Sequence, residues 1–309
     1  METAAGAIFE QGNRSIKVPV PVYIRADASV VGTKEGQGPF GDSFDMVGMD
    51  DKFGCNTWEE AESTLQKEAL SLAIGKSGLK NQEIKYLFAG DLLGQSIASS
   101  FGLSSFGIPL IGMYGACSTC GLTLSMATVM IAGGMAEHAA CVTSSHFASA
   151  EKEFRFPLGY GNQRPLYATW TVTGSGAFVL SSLRSDQDRA LIDGLTIGKI
   201  VDFGLKDSMN MGACMAPAAA DTICQHLADF DRQPSDYDKI ITGDLGSVGQ
   251  KALWDMMREK GMDISKVHMD CGMEIYDQSQ DAHAGGSGCG CSAAVLSAYV
   301  LRQLYEGKW

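Results

Sequence analysis

Residues 85–92 read KYLFAGDL, and residues 239–245 read KIITGDL. Each is a short apolar run that follows a lysine and ends in Gly-Asp-Leu, the pattern of a buried strand closing on a turn. Strand periodicity alone does not produce the matching lysine, glycine, aspartate and leucine, so the two runs read as copies of one unit. What precedes them agrees. Thr57 caps an acidic first turn at Glu59 and Glu60, and Ala61, Leu65, Ala69, Leu70, Leu72 and Ala73 recur at helical spacing up to Gly75. Ala218 to Leu227 repeats the helical pattern and leads through Pro234 to Asp238 into the second run. Each copy then reaches a Gly/Cys turn that opens a small-residue segment, Gly115-Ala-Cys-Ser-Thr119 in the first and Gly285-Gly-Ser-Gly-Cys-Gly-Cys-Ser292 in the second. The spacing predicts an α/β protein of two related halves, 1–190 and 191–309, with a site where the two turns meet.

The first turn carries Cys117 from an apolar run, Ile111 to Met113, to the start of the segment Thr119 to Gly134. A cysteine there faces unpaired N–H groups and the positive end of a helix dipole, which favour thiolate over thiol and so a nucleophile. The alternative is a small buried residue, because free cysteine is among the most buried types. Asp91 and Asp244, the paired acids of the repeat, read as strand-end caps, since duplication alone explains their pairing. Gly174-Ser-Gly176 and Gly285 to Gly288 lack the lysine of a phosphate loop and the strand-to-helix GxGxxG context, and read as places of close backbone approach.

Composition narrows the classes. The chain has 309 residues, 45% hydrophobic and 19% charged, an ordinary globular mixture able to bury a full core. A net charge of −12 leaves no basic stripe for a phosphate backbone, so no nucleic-acid partner is expected. Nine cysteines, scattered through apolar segments with no signal-peptide pattern after Met1, predict free thiols in a reducing compartment. The longest apolar stretch, Cys120 to Ala136, is too short and small-sided to span a membrane.

With the duplication and Cys117 in view, the chain resembles the thiolase superfamily, whose halves repeat in this way and whose nucleophilic cysteine opens a buried central helix. Within it, Ala89-Gly-Asp-Leu-Leu93, Gly115-Ala-Cys-Ser-Thr119, Ser144-Ser-His146, Phe154-Arg-Phe-Pro157, Ala168-Thr-Trp-Thr-Val-Thr-Gly174, Met215 to Thr222 and Ala284 to Cys289 are similar to the stage V sporulation protein AD family. The resemblance covers nearly the whole chain and implies a duplicated αβαβα layered fold and a homodimer, with Ala139 to Ser144 near its interface. It implies dipicolinic acid (pyridine-2,6-dicarboxylate) as ligand, alone or as its calcium chelate, and a role in moving it into the developing spore. Partnership with other stage V sporulation A membrane proteins, at the inner membrane of the forespore, is implied as well. The family continues beyond Lys308 into a further apolar strand, so an incomplete second-half sheet is expected.

An acyltransferase of this class needs an oxyanion donor and a base beside its cysteine. Where the synthase type carries a histidine after the second-half strand, this chain has Gly243-Asp-Leu-Gly-Ser-Val248; where it carries asparagine, it has Gly285-Gly286. A binding protein without turnover, metal or cofactor is therefore expected, with an acyltransferase using Cys117 as the alternative. The candidate ligand residues are Cys117, Ser118, His146, Arg155, Arg164, Gly286, Ser287 and Cys289. The arginines earn their place by matching carboxylates bidentately, although Glu151 and Glu153 flank Arg155 and offer it surface ion pairs.

Overall fold

The computed structural model describes residues 10–154, 163–186 and 188–309. Its main sheet has eight strands. Along its central path Ser15–Val31 lies beside Gly174–Ser181, then His138–Ser145, Tyr86–Gly90 and the edge strand Leu110–Gly112. The last three run parallel to one another, while Gly174–Ser181 is antiparallel to both of its neighbours. Ala190–Thr196, at the expected junction of the halves, also pairs with the long Ser15–Val31 strand. In the second half Ile240–Thr242 pairs in parallel with His268–Asp270, and Gly286–Ser287 with Trp170–Thr171.

Strand alternation builds the layers. Leu87, Ala89, Ala140, Val142, Ala177 and Val179 point to one face and pack against the helix Trp58–Ser77 through Leu65, Ala69, Leu70 and Ala73. Phe88, Ala139, Cys141, Phe178 and Leu180 point to the other, against Cys120, Ala127 and Ile131 of the helix Thr119–Ala132 and Ala293 of the helix Cys289–Val295. Cys291, Ala294 and Val295 carry that second helix onto Met269 and Ile241, and Ile240 on the opposite face meets the outer helices Met211–Asp229 and Gly246–Glu259. Two small-residue helices thus lie between the sheets of the two halves. Small residues are required there: a Cβ on Gly176 would meet Ala293 O at 2.5 Å.

The capping box at Thr57 forms as the sequence indicates, with Thr57 Oγ1 accepting from Glu60 N at 3.2 Å and Glu60 Oε2 from Thr57 N at 3.2 Å. Every residue of His138–Ser145 is buried and strands flank it on both sides, so Ala139 to Ser144 lies in mid-sheet, the third strand in from the edge. The open edge is Leu110–Gly112, where Leu110 and Ile111 are exposed.

Candidate functional site

Cys117 sits in a 3₁₀ turn, Ala116–Ser118, between the edge strand and the helix Thr119–Ala132. Ala116 is in the left-handed region at φ 47°, a conformation that costs a non-glycine residue about 1–2 kcal/mol. Local hydrogen bonds hold it: Ser118 Oγ donates to Gly115 O at 2.7 Å, Thr119 Oγ1 donates to Ala116 O at 2.7 Å, and Gly115 N donates to Thr119 Oγ1 at 3.1 Å.

The second turn faces it from the other half. Gly288 has φ 94°, and a Cβ there would meet Ser145 Oγ at 2.8 Å, so only glycine fits. Gly288 N donates to Asp244 Oδ2 at 2.8 Å, and Gly290 N donates to Ser145 Oγ at 3.2 Å. The Cys289 thiol donates to Ser144 O at 3.0 Å.

Asp244 joins the two turns. The Cys117 thiol hydrogen-bonds its carboxylate, opposite the bond from Gly288 N. Burial pushes the Asp244 carboxyl up to about 6, against the stabilising bonds from Cys117 and Gly288. Burial, followed by the charge of Asp244, pushes the Cys117 thiol well above the usual thiol range. Burial and the facing acid thus work against the thiolate that the helix start favours at half-buried Cys117. Asp244 is also more than a strand-end cap. That task falls to Asp91, which accepts from Leu93 N, Ser99 N and Ser99 Oγ, and in the second half to Asp270, which accepts from Leu245 N, Gly246 N and Thr242 Oγ1.

The remaining candidates separate. Of these only Cys117 reaches Asp244; Gly286 packs against Ile275, Val172 and Tyr276, Ser287 O accepts from Val172 N, the Cys289 thiol turns to Ser144 O, and exposed Ser118 points its hydroxyl back to its own turn. His146 does not reach Asp244 either. It is 1% exposed, its Nδ1 accepts from Ala148 N at 3.1 Å, and its Nε2 then donates to Asp51 O at 2.7 Å, which leaves a neutral ring with both nitrogens engaged by backbone. Arg164 is buried on the ring of Trp170, 4.4 Å from its centroid, and donates to Asp281 O at 2.9 Å. Arg155 lies outside the described residues.

Sequence reasoning missed Glu62. This fully buried acid accepts from Ser144 Oγ at 2.9 Å and Ser149 Oγ at 2.5 Å, and Gln66 Nε2 donates to Ser144 Oγ at 2.8 Å. Burial, then the charge of Asp91, pushes its carboxyl up to about 8. It stands behind Cys289, whose thiol feels its charge.

Comparison with known proteins accounts for this architecture. Among solved structures, OleA from Xanthomonas campestris with cerulenin superposes at a TM-score of 0.61 with 14% identity, covering 94% of this chain and 89% of that one. The 3-oxoacyl-(acyl carrier protein) synthase III FabH from Pseudomonas aeruginosa PAO1 superposes at 0.58 with 14% identity, covering 92% and 90%. The fold is therefore that of the thiolase-like condensing enzymes. In sequence, the stage V sporulation protein AD of Bacillus subtilis (strain 168) is 43% identical over 290 residues, 93% of this chain and 84% of the relative. The profile of stage V sporulation protein AD matches residues 12–309, and the chain belongs to that family.

Proposed function

We propose that the protein binds dipicolinic acid between its two Gly/Cys turns without covalent turnover, and in that way assists dipicolinate uptake into the developing spore. The observation that carries this reading is the Cys117–Asp244 pair. An acyltransferase needs a base to take the thiol proton and donors to hold an oxyanion. Here an acid whose charge opposes thiolate formation stands beside the sulfur, and Gly286 occupies the place expected of asparagine. A protonated thiol and a carboxyl that titrates near neutrality are polar contacts suited to a ligand that itself carries carboxyl groups.

Asp244 sets a sign for pH. A ligand carboxylate beside Asp244 favours the protonated acid, so binding of free dipicolinate takes up a proton and strengthens as pH falls through about 6. A calcium chelate needs the ionised acid and reverses the slope. Calorimetric titration at pH 5.5 and 7.5, with and without calcium, is expected to give binding that Asp244→Asn makes insensitive to pH over that range. Absence of binding under all four conditions overturns the reading. Steady thiol release from acetoacetyl-coenzyme A that disappears in Cys117→Ala overturns it in favour of the acyltransferase.

A further inference from the structure

The helix that opens at Cys289 runs on through a π turn, Leu296–Val300, into Leu301–Tyr305, and at about 1.5 Å per residue its far end lies about 20 Å from the Gly/Cys turns. There it walls a cavity of about 310 Å³, at the lower end of the range for small-molecule sites. The other walls include Asp27 of the long strand Ser15–Val31, Asp45, Lys76 in the last turn of Trp58–Ser77, and Arg189. A π turn is rare within a helix and frequent at functional sites, and this one brings Ser297 Oγ to Asp27 Oδ2 at 2.7 Å.

Two guanidinium groups line this cavity, and both are tied to one turn of helix. Arg302 belongs to the helix itself. Arg189, just ahead of the strand Ala190–Thr196, lays its guanidinium carbon 4.7 Å from the ring centroid of Tyr305, which neighbours Arg302 at a spacing of three on the same helix. Each guanidinium carries five N–H donors, and the protein engages few of them. Arg189 Nε faces Asp27 Oδ1 at 3.5 Å, and among the described residues no oxygen accepts from its terminal nitrogens. Arg302 reaches only long contacts, Nε to Glu306 Oε1 and Nη1 to Ser43 Oγ, each at 3.4 Å. The acids are better supplied. Asp45 accepts from Lys76 Nζ at 2.6 Å and Ser29 N at 2.9 Å, Asp27 from Ser297 Oγ, and Glu306 Oε2 pairs with Lys308 Nζ at 2.6 Å. Donors are in surplus around the cavity, and acceptors are what it lacks.

We propose that this cavity binds a small organic anion, with the ligand's carboxylate or phosphate group held by Arg189 and Arg302. Guanidinium forks match such oxyanions through paired N–H···O bonds, and the Tyr305 ring holds the Arg189 fork in advance, so less side-chain freedom is lost on binding. The site stands independently of the dipicolinate reading, because it shares no residue with the Gly/Cys turns and lies at the other end of the helix that leaves them.

Calorimetry at fixed ionic strength with succinate and glycerol 3-phosphate, against a chloride control, tests it. At least one of the two is expected to bind, with Arg189→Gln and Arg302→Gln each weakening it tenfold or more. Binding of succinate alone identifies an organic acid as the ligand class; binding of glycerol 3-phosphate alone identifies a phosphoryl ligand. Arg302 is exposed, so its variant keeps the test open if Arg189→Gln folds poorly. Phenylglyoxal modification of the native protein, read by peptide mapping at Arg189 and Arg302, gives a second measurement and is expected to slow at least threefold when the anion is present. Two probes indistinguishable from chloride, equal binding by the variants, or arginines modified as fast with the anion as without it overturn the proposal.

Discussion

A thiol that donates to a carboxylate must keep its proton to keep the bond, so ionised Asp244 works against the Cys117 thiolate, and the Cys117 thiol in turn favours the ionised acid. Removing the charge while preserving the shape separates this from burial. Iodoacetamide is expected to label Cys117 more slowly than exposed Cys214 between pH 7 and 8.5, and Asp244→Asn is expected to speed Cys117 by removing the charge that opposes its thiolate. Peptide mapping of the alkylated protein reads both; a Cys117 that outpaces Cys214 in the unmodified sequence excludes the pairing. Cys117 itself was legible because glycines, a preceding apolar run and a following small-residue segment mark its turn. Asp244 was visible as a repeat position, but its task was not, since Asp91 at the matching place caps a turn while Asp244 reaches across to the other half. Glu62 left no trace, because an acid among helical polar positions looks solvent-facing until the serines that enclose it are brought in from the strand-end Ser144 and the next helix.

Edges decide how the layers extend. Leu110–Gly112 ends the main sheet with exposed Leu110 and Ile111, and exposed Tyr114 and Phe101 stand in the segments beside it. Unpaired strand groups with apolar neighbours invite a second strand, and a second copy of this chain presents the same edge. Light scattering at micromolar concentration is expected to give twice the chain mass, and Leu110→Lys with Ile111→Glu to reduce it to the chain mass without unfolding. A wild-type monomer contradicts the pairing. The resemblance put Ala139 to Ser144 near this contact; which strand forms the edge was not legible, because a continuous apolar run has the same composition whether a strand is central or peripheral, and only the pairing on both sides tells them apart. Helices with caps were easier. Trp58–Ser77 begins where Thr57 places it but runs past the expected Gly75 to a left-handed cap at Gly78, and Met211–Asp229 starts before the expected Ala218, capped by Asn210 ahead of Pro217.

Stability should carry the signature of carboxyls buried without counter-cations. Glu62 is pushed up to about 8, Glu35 to about 7 and Asp244 to about 6, in each case chiefly by burial. A raised carboxyl binds more protons in the folded state than in the unfolded chain, so its contribution to stability is full below the ordinary carboxylate range and is lost as pH rises through the folded value, whereas lowered acids such as Asp229 and Asp221 lose theirs as pH falls. The buried histidines act in the opposite sense but only below their unfolded value near 6.5, as His268, lowered to about 4 by burial, illustrates. Between pH 7 and 8 the loss attributable to Glu62 is about 1 kcal/mol. Denaturant titrations at pH 7 and 8 are expected to record that decline, and Glu62→Gln to flatten it; a rise in stability over the same interval contradicts the buried-acid picture. Among the described residues no helix is long and apolar enough to cross a membrane.

The long strand Ser15–Val31 leaves the ribosome early and waits for distant partners. Its main partners are Gly174–Ser181 and Ala190–Thr196, well over a hundred residues downstream. At a synthesis rate of about 5–20 residues per second, the strand waits on the order of 10 s with its apolar face uncovered. Such distant pairing makes folding slow and exposes the nascent chain to association. The protein is therefore a natural client for chaperones during synthesis, and its yield should depend on temperature at expression more than its final stability does.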